Sequence, residues 1–128
     1  MEKEAEYQIL SSVKKRILEI VLTGEATKHN AEKMLNEVIA IINVKGIENV
    51  LMDVRAIEKR FRYAQVYFRI RHLLHDRPKE NIAIVDLAKN AKGLFFLKMV
   101  AKKAGMSFKR FTDIDEARDW LKSKLKKK

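Results

Sequence analysis

The sequence has no cysteine, only one proline and only four glycines among its 128 residues. Without cysteine, the chain can form neither a disulfide nor a thiolate metal site, and it has no cysteine nucleophile. The four glycines are too widely spaced for a phosphate-binding glycine loop or a dinucleotide-binding motif, and no serine stands in a G-x-S-x-G elbow. We therefore expect a protein that uses no cofactor and is not an enzyme.

Long apolar runs are also missing. The longest, such as VIAII at positions 38–42, are far shorter than the ~20 residues that a membrane-spanning helix needs. The first ten residues, MEKEAEYQIL, begin with acidic and polar side chains, unlike the basic and then apolar start of a signal peptide. We expect no transmembrane segment and a cytoplasmic location.

Positive charge is what the sequence has in excess. It contains 28 lysines and arginines against 17 acidic residues, a net charge of +11. Such a balance favours phosphate-rich partners such as nucleic acid or anionic lipid. The basic residues are scattered through the chain, however, and the cluster KSKLKKK is also typical of a helix end. Solubility is the favoured explanation, and a nucleic-acid-binding basic domain is the alternative.

Hydrophobic periodicity predicts one α/β domain over residues 1–128. Two strands, Tyr7–Val13 and Arg16–Leu22, are joined by a short basic turn and should form an antiparallel hairpin. Three later strands, NVLMDV, NIAIVDL and SFKRF, are separated by helices, and a last helix follows a capping box of Thr112 and Asp115. The order β-β-α-β-α-β-α-β-α predicts a mixed, mostly parallel sheet with flanking helices.

Three segments carry a resemblance to a known family: LTGEATKHNAEKMLNEV, NVLMDVRAI and FKRFTDIDEARDWLKS. In this order they resemble the STAS domain family, which has the anti-sigma-factor-antagonist fold, and in particular its small stand-alone STAS/CRAL-TRIO-like branch of bacteria and archaea. The resemblance implies a STAS-like fold and a regulatory role. Antagonist STAS domains carry a phosphorylatable serine after the central strand. No serine or threonine occurs from position 54 to 80 here, so that switch is not implied.

Charged residues follow two of the predicted central strands. Asp53 and Asp86 are expected at the carboxyl ends of these strands, where open α/β sheets bind ligands, and Arg55 and Arg62 follow the first of them. We predict a ligand site in which the two arginines meet an anionic group and the two carboxylates orient the loops or accept hydrogen bonds from a polar head group. The ligand would be an anionic or lipid-like small molecule or a protein partner. Each aspartate can equally cap its own loop and pair with a neighbouring arginine.

Other site chemistries are less favoured. His72 and His75 stand three residues apart on a predicted helix, but a metal would need further matched ligands, so no metal site is predicted. A small-molecule enzyme that uses Asp53 and Asp86 as acid and base is a second alternative. A homodimer through a sheet edge or an exposed helix stays open.

Overall fold

In a computed structural model, the described residues are 7–25, 31–59, 81–90 and 107–125. They form five strands, two helices and a 3₁₀ turn at Ala88–Asn90. The strands are β1 Tyr7–Lys14, β2 Ile17–Glu25, β3 Asn49–Lys59, β4 Asn81–Val85 and β5 Ser107–Phe111. The helices are α1 Ala31–Lys45 and α2 Ile114–Leu125. No helix in these ranges is long and apolar enough to cross a membrane.

The five strands form one sheet in the order β1-β2-β3-β4-β5. β1 and β2 pair antiparallel, and β2, β3, β4 and β5 each run parallel to the next. The predicted hairpin, mixed sheet and strand order along the chain are therefore confirmed. The helices predicted at about 62–75 and 91–104 lie outside the described residues.

Each face of the sheet has its own apolar core, and of the two described helices α1 packs on one face and α2 on the other. The α1 face buries Leu18, Ile20, Leu22, Val50 and Ile57 against Met34, Val38 and Ile42 of the helix. The α2 face buries Ile17, Leu51, Ala83, Val85 and Phe111 against Ala117 and Leu121. β3 and β4 contribute side chains to both cores. Because both of their faces are covered, their sequences contain continuous apolar runs and do not alternate between apolar and polar residues.

The turn between β1 and β2 has two residues, both with left-handed backbone. Lys15 has φ 50° and Arg16 has φ 68°, the combination of a type I′ turn. Such turns match the twist of paired strands but favour Asn and Gly, because side chains with a Cβ are strained at positive φ. The sheet thus imposes this turn on two residues that do not prefer it.

α1 ends at a glycine cap. Gly46 has φ 64°, and its N–H donates to the Ile42 carbonyl at 3.0 Å. The start of α2 differs from the prediction, which paired Thr112 with Asp115 in a capping box. Instead, Asp113 is the capping residue, and its Oδ1 accepts the Asp115 N–H at 3.2 Å. Two adjacent cap-forming residues made the sequence ambiguous by one position.

The central strand β3 is longer than the sequence indicated. We expected it to stop near Asp53 and to be followed by a basic loop, and this is wrong, because β3 continues to Lys59. Between its pairings with Val21 and Thr23, β3 advances from Asp53 to Ala56, so it carries one residue more than β2. This is a β-bulge, and it reverses the side-chain parity, so that Ile57 joins Val50 on the α1 face.

Candidate functional site

The predicted site lies at the carboxyl edge of the parallel strands. Asp53 is the last β3 residue paired with β4, opposite Val85, and Asp86 directly follows Val85. Asp113 follows β5 two residues after Phe111, the partner of Val85 on the other side. Three carboxyl groups therefore stand along one edge, in the place where parallel α/β sheets usually bind ligands. We call Asp53, Arg55, Asp86 and Asp113 the carboxyl-edge cluster.

Asp53 and Arg55 are brought together in a two-pronged ion pair. Arg55 Nε donates to Asp53 Oδ1 at 2.9 Å, and Arg55 Nη2 donates to Asp53 Oδ2 at 2.8 Å. This fork geometry is the strong form of an arginine–carboxylate contact. The alternative in which Asp53 pairs with a neighbouring arginine is therefore the arrangement observed.

The β-bulge explains how two residues on the same strand can form this pair. In a regular strand, residues two apart lie on the same face about 7 Å apart, and the backbone groups of both bond to neighbouring strands. The bulge withdraws the Arg55 N–H from that ladder, and Asp53 Oδ1 accepts it at 3.2 Å. Asp53 thus accepts hydrogen bonds from both the backbone and the side chain of Arg55.

The electrostatics keep both groups charged. Burial raises the pKa of Asp53, but the hydrogen bonds from Arg55 and the charges of Arg55 and Arg118 outweigh it and hold that pKa below its usual range. The hydrogen bond to Asp53 and the charge of Asp113 raise the pKa of Arg55. Asp53 is buried, whereas the Arg55 side chain is 38% exposed, so the arginine is the member of the pair that faces solvent.

Asp86 is fully buried at the end of β4. Its Oδ1 accepts the Leu87 N–H at 2.7 Å, and its own N–H donates to the Phe111 carbonyl at 2.9 Å. These contacts fix the chain as it leaves the sheet and join it to β5. Asp86 thus caps its own loop and contributes no exposed group of its own.

Two sets of predicted positions cannot be placed. Arg62, the second predicted anion-binding arginine, lies outside the described residues, as do His29, His72 and His75. Within the described ranges, no three histidine, aspartate or glutamate side chains are grouped so that they could hold a metal ion. Among the described residues, Arg55 is therefore the one arginine of the predicted site.

A second arginine fork lies beside the site, and sequence reasoning missed it. Arg118 of α2 donates from Nε to Glu19 Oε2 at 2.8 Å and from Nη2 to Oε1 at 3.0 Å. Glu19 is buried on the α2 face of β2. The hydrogen bond to Glu19 raises the pKa of Arg118. The available signal was Glu19 itself, a lone acid in the apolar strand ILEIVL, because a buried carboxylate requires a partner.

No protein-family model and no curated protein sequence matches the chain. Solved structures do. An anti-sigma factor antagonist from Mycobacterium paratuberculosis is similar with a TM-score of 0.66 at 14% identity, over 91% of this chain and 95% of that one. An uncharacterized DUF3478-family protein with a SpoIIAA-like fold, from Shewanella loihica PV-4, is similar with a TM-score of 0.60 at 13% identity, over 94% and 98%.

These similarities extend over nearly the full length of both known structures. At such low identity they concern the fold, and the fold is that of a STAS-like domain, as the sequence resemblance implied. Function must be argued from the residues of this chain.

Proposed function

We propose that this protein is a non-catalytic regulatory module that binds a protein partner at the carboxyl-edge cluster, with Arg55 as the residue that meets an acidic group of the partner. The observation that carries the proposal is the fork between Arg55 and Asp53. It fixes a permanently charged, partly exposed guanidinium at the edge of the sheet where this fold class binds ligands.

Arg55 has hydrogen-bonding capacity to spare. A guanidinium has five N–H donors, and the fork with Asp53 uses two of them, one on Nε and one on Nη2; no contact with another described residue is seen for the remaining three. Because the fork holds the side chain in place, a partner would not have to immobilise it on binding, and less conformational entropy would be lost. The remaining donors suit a carboxylate of a partner.

The charges around Arg55 favour a protein surface over a small free anion. Asp53 is in direct contact with the guanidinium, and Asp113 is near enough for its charge to raise the pKa of Arg55. A free phosphate would meet these two carboxylates as well as one arginine, and like charges repel. A protein partner can place an acidic side chain at Arg55 and neutral or basic groups opposite the aspartates.

The fold neighbours support a regulatory role. One of them is named as an anti-sigma factor antagonist, a protein defined by its action on another protein. The described residues support no catalytic assignment: Asp53 is engaged by Arg55, and Asp86 is engaged by the backbone around it. A binding module explains both observations without requiring either carboxyl group to transfer a proton.

A titration followed by the Nε–H resonance of Arg55 tests the proposal. The probes are a hexaglutamate peptide, as a carboxylate-bearing protein surrogate, and inorganic phosphate. We expect saturable shifts at Arg55 with the peptide and weaker shifts with phosphate. An Arg55→Met variant should lose the peptide binding. Lys45→Met, at an exposed lysine in the last turn of α1, away from the carboxyl edge, is the matched control and should keep it.

The outcomes separate the alternatives. Peptide binding that is equal in native protein and in Arg55→Met would contradict the proposal, because the net positive charge of the chain would then account for it. Phosphate binding at Arg55 as strong as peptide binding would favour a small anionic ligand instead. Binding of single-stranded oligonucleotide that falls steeply with salt and does not depend on Arg55 would favour the nucleic-acid alternative.

A further inference from the structure

β1 is an edge strand with exposed apolar side chains. It pairs with β2 on one side, and no other described strand pairs with its outer side. Positions 10–14 of this strand are all exposed, with Leu10 at 61% and Val13 at 44%. From Gln8 to Val13 the strand has no charge and no proline, the usual devices that keep sheet edges from pairing. An edge of this kind is a template for another strand.

The hairpin determines which backbone groups are available on that outer side. Lys14 and Ile17 flank the two-residue turn, so they form a hydrogen-bonded pair, and the bonding alternates from there along β1. Leu10 and Ser12 therefore direct their N–H and C=O groups to β2. Tyr7, Ile9, Ser11 and Val13 direct theirs outward. These four residues have their side chains on the α1 face, where Tyr7 and Ile9 pack against the core.

We propose that β1 pairs antiparallel with β1 of a second copy of this chain, with Leu10 on the two-fold axis. A two-fold axis perpendicular to the sheet keeps each face on its own side, so only residues of the same parity can stand opposite each other. With Leu10 opposite Leu10, Tyr7 faces Val13 and Ile9 faces Ser11 of the partner. All four outward-directed residues of both copies are then in hydrogen-bonded pairs, which gives about eight backbone hydrogen bonds.

The same register covers both exposed apolar side chains of the strand. Leu10 packs on its own counterpart in a non-hydrogen-bonded pair, where Cα atoms are about 4.5 Å apart and side chains are closest. Val13 packs beside the Tyr7 ring of the partner, which the hydrogen bond from its hydroxyl to Glu37 Oε1 holds at 2.6 Å. A shift by two residues to a Ser11-centred register leaves Leu10 opposite Ser12 and gives about six bonds. The Leu10-centred register is favoured because it forms more backbone hydrogen bonds and pairs Leu10 with an apolar side chain.

The side of the sheet that Leu10 occupies has room for the second copy. Leu10 is paired with Val21 of β2, on the face that carries Glu19 and Ile17 and that α2 covers elsewhere. α2 packs mainly on β3, β4 and β5, and Leu10 and Val21 stay exposed and half-buried, respectively, on the β1 side of that face. The second Leu10 would therefore meet a partly uncovered apolar strip that Leu10 and Val21 share, and none of the helices in the described part of the chain blocks its approach.

The absence of cysteine makes the register directly measurable. In a Leu10→Cys variant the two thiols would stand across the axis at a separation that a disulfide spans, so oxidised glutathione should convert the protein to a covalent dimer. Ser12→Cys is the matched control on the same strand and face. In this register its two copies are four residues apart along the strand, about 13 Å, and should not cross-link.

Sedimentation of the native chain supplies the second measurement. We expect a concentration-dependent dimer whose dissociation constant rises about tenfold or more in Leu10→Lys, because two lysines would face each other on the axis. Val44→Lys, at an 82% exposed position of α1, should leave it unchanged. A chain that stays monomeric at about 1 mM, or a dimer that Leu10→Lys does not weaken, would overturn the interface. Cross-linking through Ser12→Cys in place of Leu10→Cys would overturn the register.

Discussion

Two arginine forks in this molecule are nearly identical in local geometry and in burial. In each, Nε and Nη2 of an arginine donate hydrogen bonds to the two oxygens of a carboxylate at 2.8–3.0 Å. The arginine side chains are 38% and 35% exposed, and their carboxylates 12% and 10%. They differ in what they join. Arg55 and Asp53 are two residues apart on β3, whereas Arg118 and Glu19 are 99 residues apart and connect α2 to β2.

That difference separates a contact for the fold from a contact for binding. The Arg118–Glu19 fork exists only when α2 is docked on the sheet, so its energy contributes to folding directly. The Arg55–Asp53 fork joins neighbours along the chain, and it mainly sets the direction of one side chain. Geometry and exposure alone would not distinguish the two pairs, but the span of chain between the partners does.

The largest effect on stability is expected at Arg118. In Arg118→Met, the buried Glu19 loses the only side chain that hydrogen-bonds it among the described residues. A buried carboxylate without a partner is costly, and we expect the free energy of unfolding to fall by about 2 kcal/mol, measured by urea denaturation.

A double variant provides the control. Replacing both partners, as in Glu19→Met with Arg118→Met, should recover much of the loss, because no unpaired charge remains buried. If Arg118→Met alone were as stable as the native chain, the fork would contribute nothing to the docking of α2, and the distinction between the two pairs would fail.

A smaller loss of stability is expected at Arg55. In Arg55→Met, Asp53 keeps the backbone N–H of residue 55 and the nearby charge of Arg118, so its carboxylate is not left alone. We expect the free energy of unfolding to fall by about 1 kcal/mol in the same denaturation experiment. A loss as large as that of Arg118→Met would show that this fork also supports the fold and would remove the contrast.

The smallest effect should appear only in acid. The pKa of Asp53 is lower in the folded chain than its ordinary value of 3.8, so its stabilising contribution is fully present above that value. It is lost as the pH falls through the folded pKa, because the aspartate of the unfolded chain binds a proton at a higher pH than that of the folded chain. As the pH is lowered below about 4, the free energy of unfolding should therefore decrease less steeply for Asp53→Asn than for the native protein. If the free energy of unfolding depended on pH in the same way in both proteins, the charge of Asp53 would not contribute to stability.

The sequence predicted the order of the elements better than the length of β3. Apolar runs and helical spacing identify elements because they report burial, and the strands with such runs were found. β3 beyond Asp53 reads VRAIEK, and its charged residues indicated a loop. It is a strand because β2 continues beside it as far as Glu25, and pairing with a neighbour of distant sequence is not visible in local composition.

The candidate site was predicted in part. The position of Asp53 and Arg55 at the carboxyl edge followed from the α/β pattern, and so did the option that they pair with each other. The bulge that makes the pairing possible could not be predicted. It arises because β3 has one residue more than β2 between two paired positions, and the sequence of one strand does not show this. Arg118 could have been suspected only through Glu19, because an arginine on the polar side of a helix looks like any solvated residue.

The central claim is that the two forks have different roles, and one paired measurement tests it most directly. Arg55→Met and Arg118→Met are compared in the same two assays, the free energy of unfolding and the binding of the hexaglutamate peptide. We expect opposite results: Arg118→Met loses more stability and keeps binding while folded, and Arg55→Met loses binding and keeps most of its stability. If the two variants lose stability and binding in equal proportion, the two forks do not have different roles.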